Sequence, residues 1–408
     1  MLTKKECLCL SLLVAVTSLG ASSGSAKAEF TGGVLKLGLM TDFSSVYADS
    51  VGDASVLAVQ LAIEDFGGQM NGKPIEMVKA DFQNKADLAL TIARKWIDED
   101  GVDVIVDAPN SGIAAAMGKF VVEKNKAYLS GAVSSDITGK FCLPNTVQFQ
   151  MDTYSMAAVA GQAIVKKGYK SWFSITADYA MGHSMENDTA KVVAANGGQM
   201  LGSVRHPFGA ADMSSFVLQA QASKAQVLAV SSAGNDAVNI EKTAAQFGVN
   251  KQMQIAALNT VLLDAYQNKA ILAGSYHTES WYWDMNDETR AWAERFHQRH
   301  PKKFYPSREQ ASLYSATLSY LKAVKELNDD TNGKAIIDKM KATPVNDMYA
   351  KNGRVREDGR LIKEMYLSQV KQPGDVKKGW DLYELIETVP GDQSFRPVAE
   401  SECPLLKK

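Results

Sequence analysis

Four cysteines in 408 residues are too few for a disulfide-dense scaffold. Lys and Arg total 44 against 46 Asp and Glu, and no basic run occurs. That balance argues against nucleic acid and against an anionic membrane surface as partners. Gly-x-Gly is absent from the whole chain, which removes the dinucleotide fingerprint and the kinase glycine loop. There is no Gly-x-x-x-x-Gly-Lys-Ser/Thr, and beyond residue 28 there is no Gly-x-Ser-x-Gly elbow. Beyond residue 28 no stretch is long and apolar enough to span a bilayer. Five histidines are scattered, and only His297 and His300 lie close together, before Pro301. A solvated helix end explains that pair better than a metal, which would need a third ligand. The expectation is a protein with no metal, no cofactor and no enzymatic activity.

What is present begins with an export signal. Lys4 and Lys5 precede the apolar run Leu8–Leu19, and Ala26-Lys27-Ala28 is a small-x-small cleavage site. Residues 1–28 therefore read as a signal peptide, with Glu29 first in the mature chain; an uncleaved N-terminal anchor is the alternative. Cys7 and Cys9 start the apolar run rather than follow it, which argues against a lipid anchor. The expected location is the periplasm, without membrane insertion. Cleavage removes Lys4, Lys5, Lys27 and Glu6 and takes the formal net charge from −2 to −4. The 380 residues left of 408 suit two domains rather than one core. Cys142 and Cys403 also remain, and in an oxidising compartment two leftover thiols are expected to pair. Two separate buried thiols are the other possibility.

Strand and helix patterns alternate along the body. Val34–Met40 is a short apolar run, followed by a helix over Val51–Phe66 that Gly67-Gly68 stops. The spacing then predicts strands at 75–80, 102–107 and 127–130, with helices at 86–99 and 113–124. After a break near Pro144 the layout repeats: strands at 171–176, 200–204, 227–230 and 254–257, helices at 184–196, 214–222 and 237–247. The expected fold class is α/β, with two doubly wound parallel-sheet lobes. The rest adds no third lobe. Helices are predicted at 287–300, 309–328 and 331–342, and strands at 349–354, 361–370 and 381–388. These pieces imply that the chain returns to each lobe, which makes a hinge with a cleft. The boundaries expected are 29–149 plus 279–350 for one lobe, 150–278 plus 351–400 for the other, and 401–408 as a tail.

Ligands of parallel α/β sheets bind beyond the carboxyl ends of the strands. Here those ends carry small polar loops: 41–47, 108–112 and 131–135 in the first half, and 177–183, 231–236 and 258–260 in the second. Their serines and asparagines can cap helices or hold a carboxylate. Phe43, Tyr47, Tyr179 and Met181 could supply apolar walls. Asp42, Asp178 and Asp236 could serve as general acids or bases, so an exported hydrolase is a competing reading. Trp281-Tyr282-Trp283 reads as hinge packing rather than a cleft wall.

The ordered set of loops resembles one family. It comprises Leu37-Gly38-Leu39-Met40-Thr41-Asp42-Phe43-Ser44, Leu61-Ala62-Ile63-Glu64-Asp65, Asp103-Val104-Ile105-Val106, Ala132-Val133-Ser134-Ser135-Asp136-Ile137-Thr138, Ala177-Asp178-Tyr179-Ala180-Met181-Gly182 and Asn235-Asp236-Ala237-Val238-Asn239. The chain is similar along nearly its whole mature length to periplasmic substrate-binding proteins of branched-chain-amino-acid-type ABC transporters. The resemblance implies a type I fold with a three-crossover hinge, a monomer that closes on a small-molecule ligand, and an ABC permease in the inner membrane as partner. It also implies a carboxylate site at Asn110, Ser111, Ala132, Val133 and Ser134. Tyr154, Tyr179, Met181, Asp236 and Asn259 would complete the ligand set with Phe43 and Tyr47. Amino-acid binders meet the ammonium with an acidic residue of the second lobe, where this chain has the neutral Leu258-Asn259-Thr260. That favours a ligand without an amine. Tyr282-Trp283-Asp284-Met285-Asn286-Asp287, Asp358-Gly359-Arg360 and Cys403-Pro404-Leu405 are similar to a branch whose members bind aromatic acids. The expected cargo is therefore a small carboxylate, aromatic in kind. A branched-chain amino acid or amide, and presentation of ligand to a sensor, are the alternatives.

Overall fold

The protein is seen in a computed structural model that describes residues 33–406. The signal-peptide reading of residues 1–28 lies outside the described residues. Strands Lys36–Thr41, Glu76–Asp81, Val104–Asp107, Ala127–Ser130 and Thr146–Gln148 form one sheet. Its order is 76–81, 36–41, 104–107, 127–130, 146–148, and every pair is parallel. Both faces are covered, as the continuous apolar strands require. Leu37, Leu39, Val104, Val106 and Leu129 pack under the helices Gly52–Phe66 and Arg308–Leu327, against Ala58, Leu61 and Tyr320. Met40, Ile105 and Tyr128 face the other way, onto Ala93, Trp96, Met117 and Phe120. The Gly67 stop holds: its N–H donates to Glu64 O, and its φ of 112° turns the Gly68 N–H back to Ile63 O.

The second sheet orders its strands 254–256, 227–231, 171–177, 199–206, again all parallel. A third sheet is antiparallel and joins Tyr276–Glu279, Met365–Val370 and Tyr383–Val389. Several short helical stretches escaped the periodicity, Lys269–Leu272 and Gly391–Ser394 among them. Thr153–Lys166 is rich in Ala and shows little contrast between faces, but an Asp152–Ser155 capping box starts it. Leu262–Gln267 is only six residues long. The strand expected over 349–354 is instead mostly a turn, because the Asp347 carboxylate accepts the backbone N–H groups of Tyr349 and Ala350.

Three chain segments run side by side between the lobes. The Tyr349 hydroxyl lies 3.0 Å from Phe149 O and 3.0 Å from Ser280 Oγ. Arg360 donates to Gln148 and Gln150 and pairs with Asp152 at 3.2 Å, and Lys363 donates to Ser280 O. Trp281 is buried, donates to Met348 O and meets Trp292 edge-on, so the aromatic triplet packs the hinge region. Cys142 and Cys403 form a disulfide with Cα atoms 5.5 Å apart. His297 stacks on Tyr305 and His300 on Phe296 and Phe304, at the end of the helix Asp287–Arg299.

Candidate functional site: the cleft between the lobes

The loop after the first strand is organised by one buried carboxylate. Asp42 accepts the backbone N–H groups of Ser44, Ser45 and Tyr47 at 3.1, 2.8 and 3.1 Å, and the amide of Asn84. This fold-back sends Tyr47 across the cleft, where its hydroxyl meets that of Tyr179 at 2.7 Å. Phe208 stands edge-on to both rings. The backbones also meet beside this pair. Gly234 has φ +56°, and a Cβ there would come within 2.6 Å of Val46 O. The lobes therefore touch, and only glycine allows the approach.

Behind that contact are two small adjoining cavities, with about 20 and 30 Å³ of free space. Val51, Pro109, Gly131 and Glu309 line both. Among the predicted residues, Tyr47, Val133, Tyr179 and Asn259 line the outer cavity. The others are engaged nearby. Asn110 caps the helix Ser111–Glu123 through the N–H groups of Gly112 and Ile113. Ser111 Oγ accepts the N–H of Ser134, and Ser134 Oγ accepts that of Asp136. Ala132 is buried, with its carbonyl accepting from Gln148. Asp236 accepts the N–H of Gly209, and burial raises its pKa. Met181 packs in a core with Met185 and Val193. Phe43 is half-buried under Lys79, and Tyr154 lines a separate surface groove. Asp178 lies at neither cavity; it is exposed and pairs with His183 at 2.8 Å.

The inner cavity holds groups that sequence reasoning passed over. Asp107, Gln150 and Glu309 line it, and Asp264 lines the outer one. Burial pushes Asp107 and Asp264 up to about 6. Burial also pushes Glu309 up to about 8; the Arg308 charge opposes this, while those of Asp264 and Asp107 add to it. Arg308 itself turns away, donating to Thr260 O, Glu279 and Asn259 Oδ1 at 2.9, 3.1 and 3.2 Å. Asp107 had a signal, as the last residue of a strand. Glu309 had none, since an acid in the first turn of a helix is ordinary.

The family described as periplasmic binding protein matches this chain over residues 34–378. The chain belongs to the periplasmic binding protein family. This binding protein is 44% identical to a periplasmic binding protein from Burkholderia mallei, over 92% of this chain and 99% of that one, with a TM-score of 0.89. It is 40% identical to a branched chain amino acid ABC transporter periplasmic ligand-binding protein from Burkholderia xenovorans, over 91% and 100%, with a TM-score of 0.80. A solute binding protein of an ABC transporter from R. palustris, solved with benzoate, shares the fold at 21% identity and a TM-score of 0.79, over 91% and 100%. The match to a Leu/Ile/Val-binding protein homolog of Brucella abortus is 24% identical and covers 52% of this chain. The chain spans about half, 54%, of that curated relative's length. The binding protein thus has the two-lobed type I fold, and its family is periplasmic and binds solutes.

Proposed function

We propose that the protein captures a small solute in the cleft behind Tyr47 and Tyr179 and delivers it to the permease of an ABC uptake system. The position of the cavities carries this reading. Strand-end loops of both sheets line the outer one, so a ligand there touches both lobes. A ligand that contacts both lobes only when they meet shifts the equilibrium toward closure, and the closed form is what a permease can recognise. The lobes are taken as 29–149 plus 279–350 and 150–278 plus 351–400, in a monomer without cofactor. Turnover is not part of the proposed role: Asp178 lies outside the cavities, Asp42 is committed to its loop and Asp236 accepts the Gly209 N–H.

For the ligand, the three rings Tyr47, Tyr179 and Phe208 and the benzoate-bound neighbour support an aromatic solute. The carboxylates in the cavities speak against a free acid group on that side. Native mass spectrometry of the purified protein, followed by calorimetry with the recovered compound, tests the role. Scattering should show compaction on ligand addition, and the compound should return unchanged after long incubation. Conversion of the compound, or binding without compaction, would refute capture by closure.

A further inference from the structure

The inner end of the cleft is lined by residues that each keep one acceptor atom without a partner. Asp107 Oδ2, Gln150 Oε1 and Glu309 Oε2 have no hydrogen-bond partner, and all three residues line one cavity. Asp107 and Gln150 are each only 3% exposed. The Ser55 hydroxyl bonds the Asp107 carboxyl, whose Oδ2 still has no partner. Buried acceptors are normally satisfied, so three converging on one space mark a place where a donor belongs.

The backbone is held in an unfavourable form to build it. Asp107 and Ala108 have φ of +78° and +56°, in the left-handed region that residues with a Cβ avoid. Opposite them is Gly131, where a Cβ would lie 2.0 Å from Asp107 Oδ1. The carboxylate fills the space that any other residue would occupy.

Charge decides what kind of donor fits. Asp107 and Glu309 line the inner cavity, and Asp264 joins Glu309 at the outer one. No Lys, Arg or His lines either cavity. An anionic group would meet carboxylates and no cation. A neutral hydroxyl would satisfy one acceptor and leave the others unmet. A protonated nitrogen supplies several N–H donors and the opposite charge together.

We propose that Asp107, Gln150 and Glu309 form a subsite for a protonated nitrogen of the captured solute, an ammonium or amidinium group. The solute is then a small organic cation or zwitterion. This replaces the expectation from the neutral Asn259: the acid is present, but it comes from the first sheet and from the start of a late helix. The inference rests on the reading that the cleft holds the ligand.

Calorimetry on the purified protein tests it, with benzylamine and leucine as nitrogen probes and 4-hydroxybenzoate as the acid. The expected result is binding of at least one nitrogen probe and not of the acid. Glu309→Gln and Asp107→Asn should each weaken it at least tenfold. Failure of both nitrogen probes overturns the inference, as does binding of 4-hydroxybenzoate that Glu309→Gln leaves unchanged or tightens. Ala233→Trp separates the two levels, because Ala233 lines the outer cavity. Acid binding that Ala233→Trp abolishes sinks the nitrogen subsite and keeps the cleft. Probe binding that Ala233→Trp does not touch sinks the cleft reading itself.

Discussion

The hydroxyls of Tyr47 and Tyr179 lie 2.7 Å apart, and they come from loops at the ends of two different sheets. Burial holds both phenols neutral, raising Tyr47 well above its ordinary value and Tyr179 likewise. The bond therefore persists across physiological pH. Tyr179→Phe keeps the ring against Phe208 and removes this link. A hydrogen bond of this kind contributes about 1 kcal/mol net, or roughly a fivefold change in the closed-to-open ratio. Ligand affinity should fall by about that factor, with faster dissociation. Stopped-flow fluorescence measures both, and an unchanged dissociation rate would mean that the bond does not hold the lobes together.

Ligand-free stability should fall as pH rises. A carboxyl raised in the folded state binds its proton more tightly there than in the unfolded chain, so deprotonation opposes folding. Glu309 moves from an ordinary 4.5 to about 8. Its neutral form is favoured when folded, and the loss of stability accumulates between those two values. The groups that set this are Arg308, Asp264, Asp107 and Glu279. Asp107 and Asp264, raised from 3.8 to about 6, add a loss at lower pH. Glu309→Gln should flatten the fall in melting temperature between pH 5 and pH 8 and raise the value at pH 8. A parallel curve for the variant would show that Glu309 is solvated.

The alternation of strands and helices was legible because both main sheets are parallel and covered on both faces. Buried strands such as Val104–Asp107 then read as unbroken apolar runs. The loops at their ends were legible for the same topological reason. What could not be read was which side chains in those loops face the cleft. Ser111 and Ser134 have the right chemistry, and the oxygen of each also accepts a backbone N–H. Glu309 reaches the cavity from a helix that lies about 200 residues after Asp107 and Pro109, which line the same cavity. Phe208 follows a strand whose loop looks like an ordinary Pro-Gly turn. Such convergence is set by packing over long separations, and local patterns do not encode it.

Ser134 distinguishes capping from ligand contact. Its Oγ accepts the Asp136 N–H at 3.2 Å and starts the short turn Ser135–Ile137. Ser134 lines neither cavity. Ser134→Ala should lower stability by about 0.5–2 kcal/mol, as loss of a cap does, and leave ligand affinity within about twofold. Chemical denaturation and calorimetry on the same samples give both numbers. A tenfold loss of affinity at unchanged stability would put the hydroxyl on the ligand instead.

The disulfide should matter for stability and not for binding. Cys142 and Cys403 are 261 residues apart, and their bond ties a loop beside the first sheet to the C-terminal segment. Closing so long a loop restricts the unfolded chain by about 5 kcal/mol in the entropy model, while native disulfides typically contribute about 2–4. Both residues are buried, Cys403 completely, so a reductant reaches the sulfurs only when that segment opens. Neither residue lines a cavity of the cleft. Cys403→Ser should therefore lower the melting temperature by roughly 5–10 °C, using the scaling for larger domains, and leave the ligand dissociation constant nearly unchanged at 25 °C. Reduction of the native protein should be slow without denaturant and accelerate with it. Rapid reduction under native conditions would mean that the C-terminal segment opens independently of the rest of the fold.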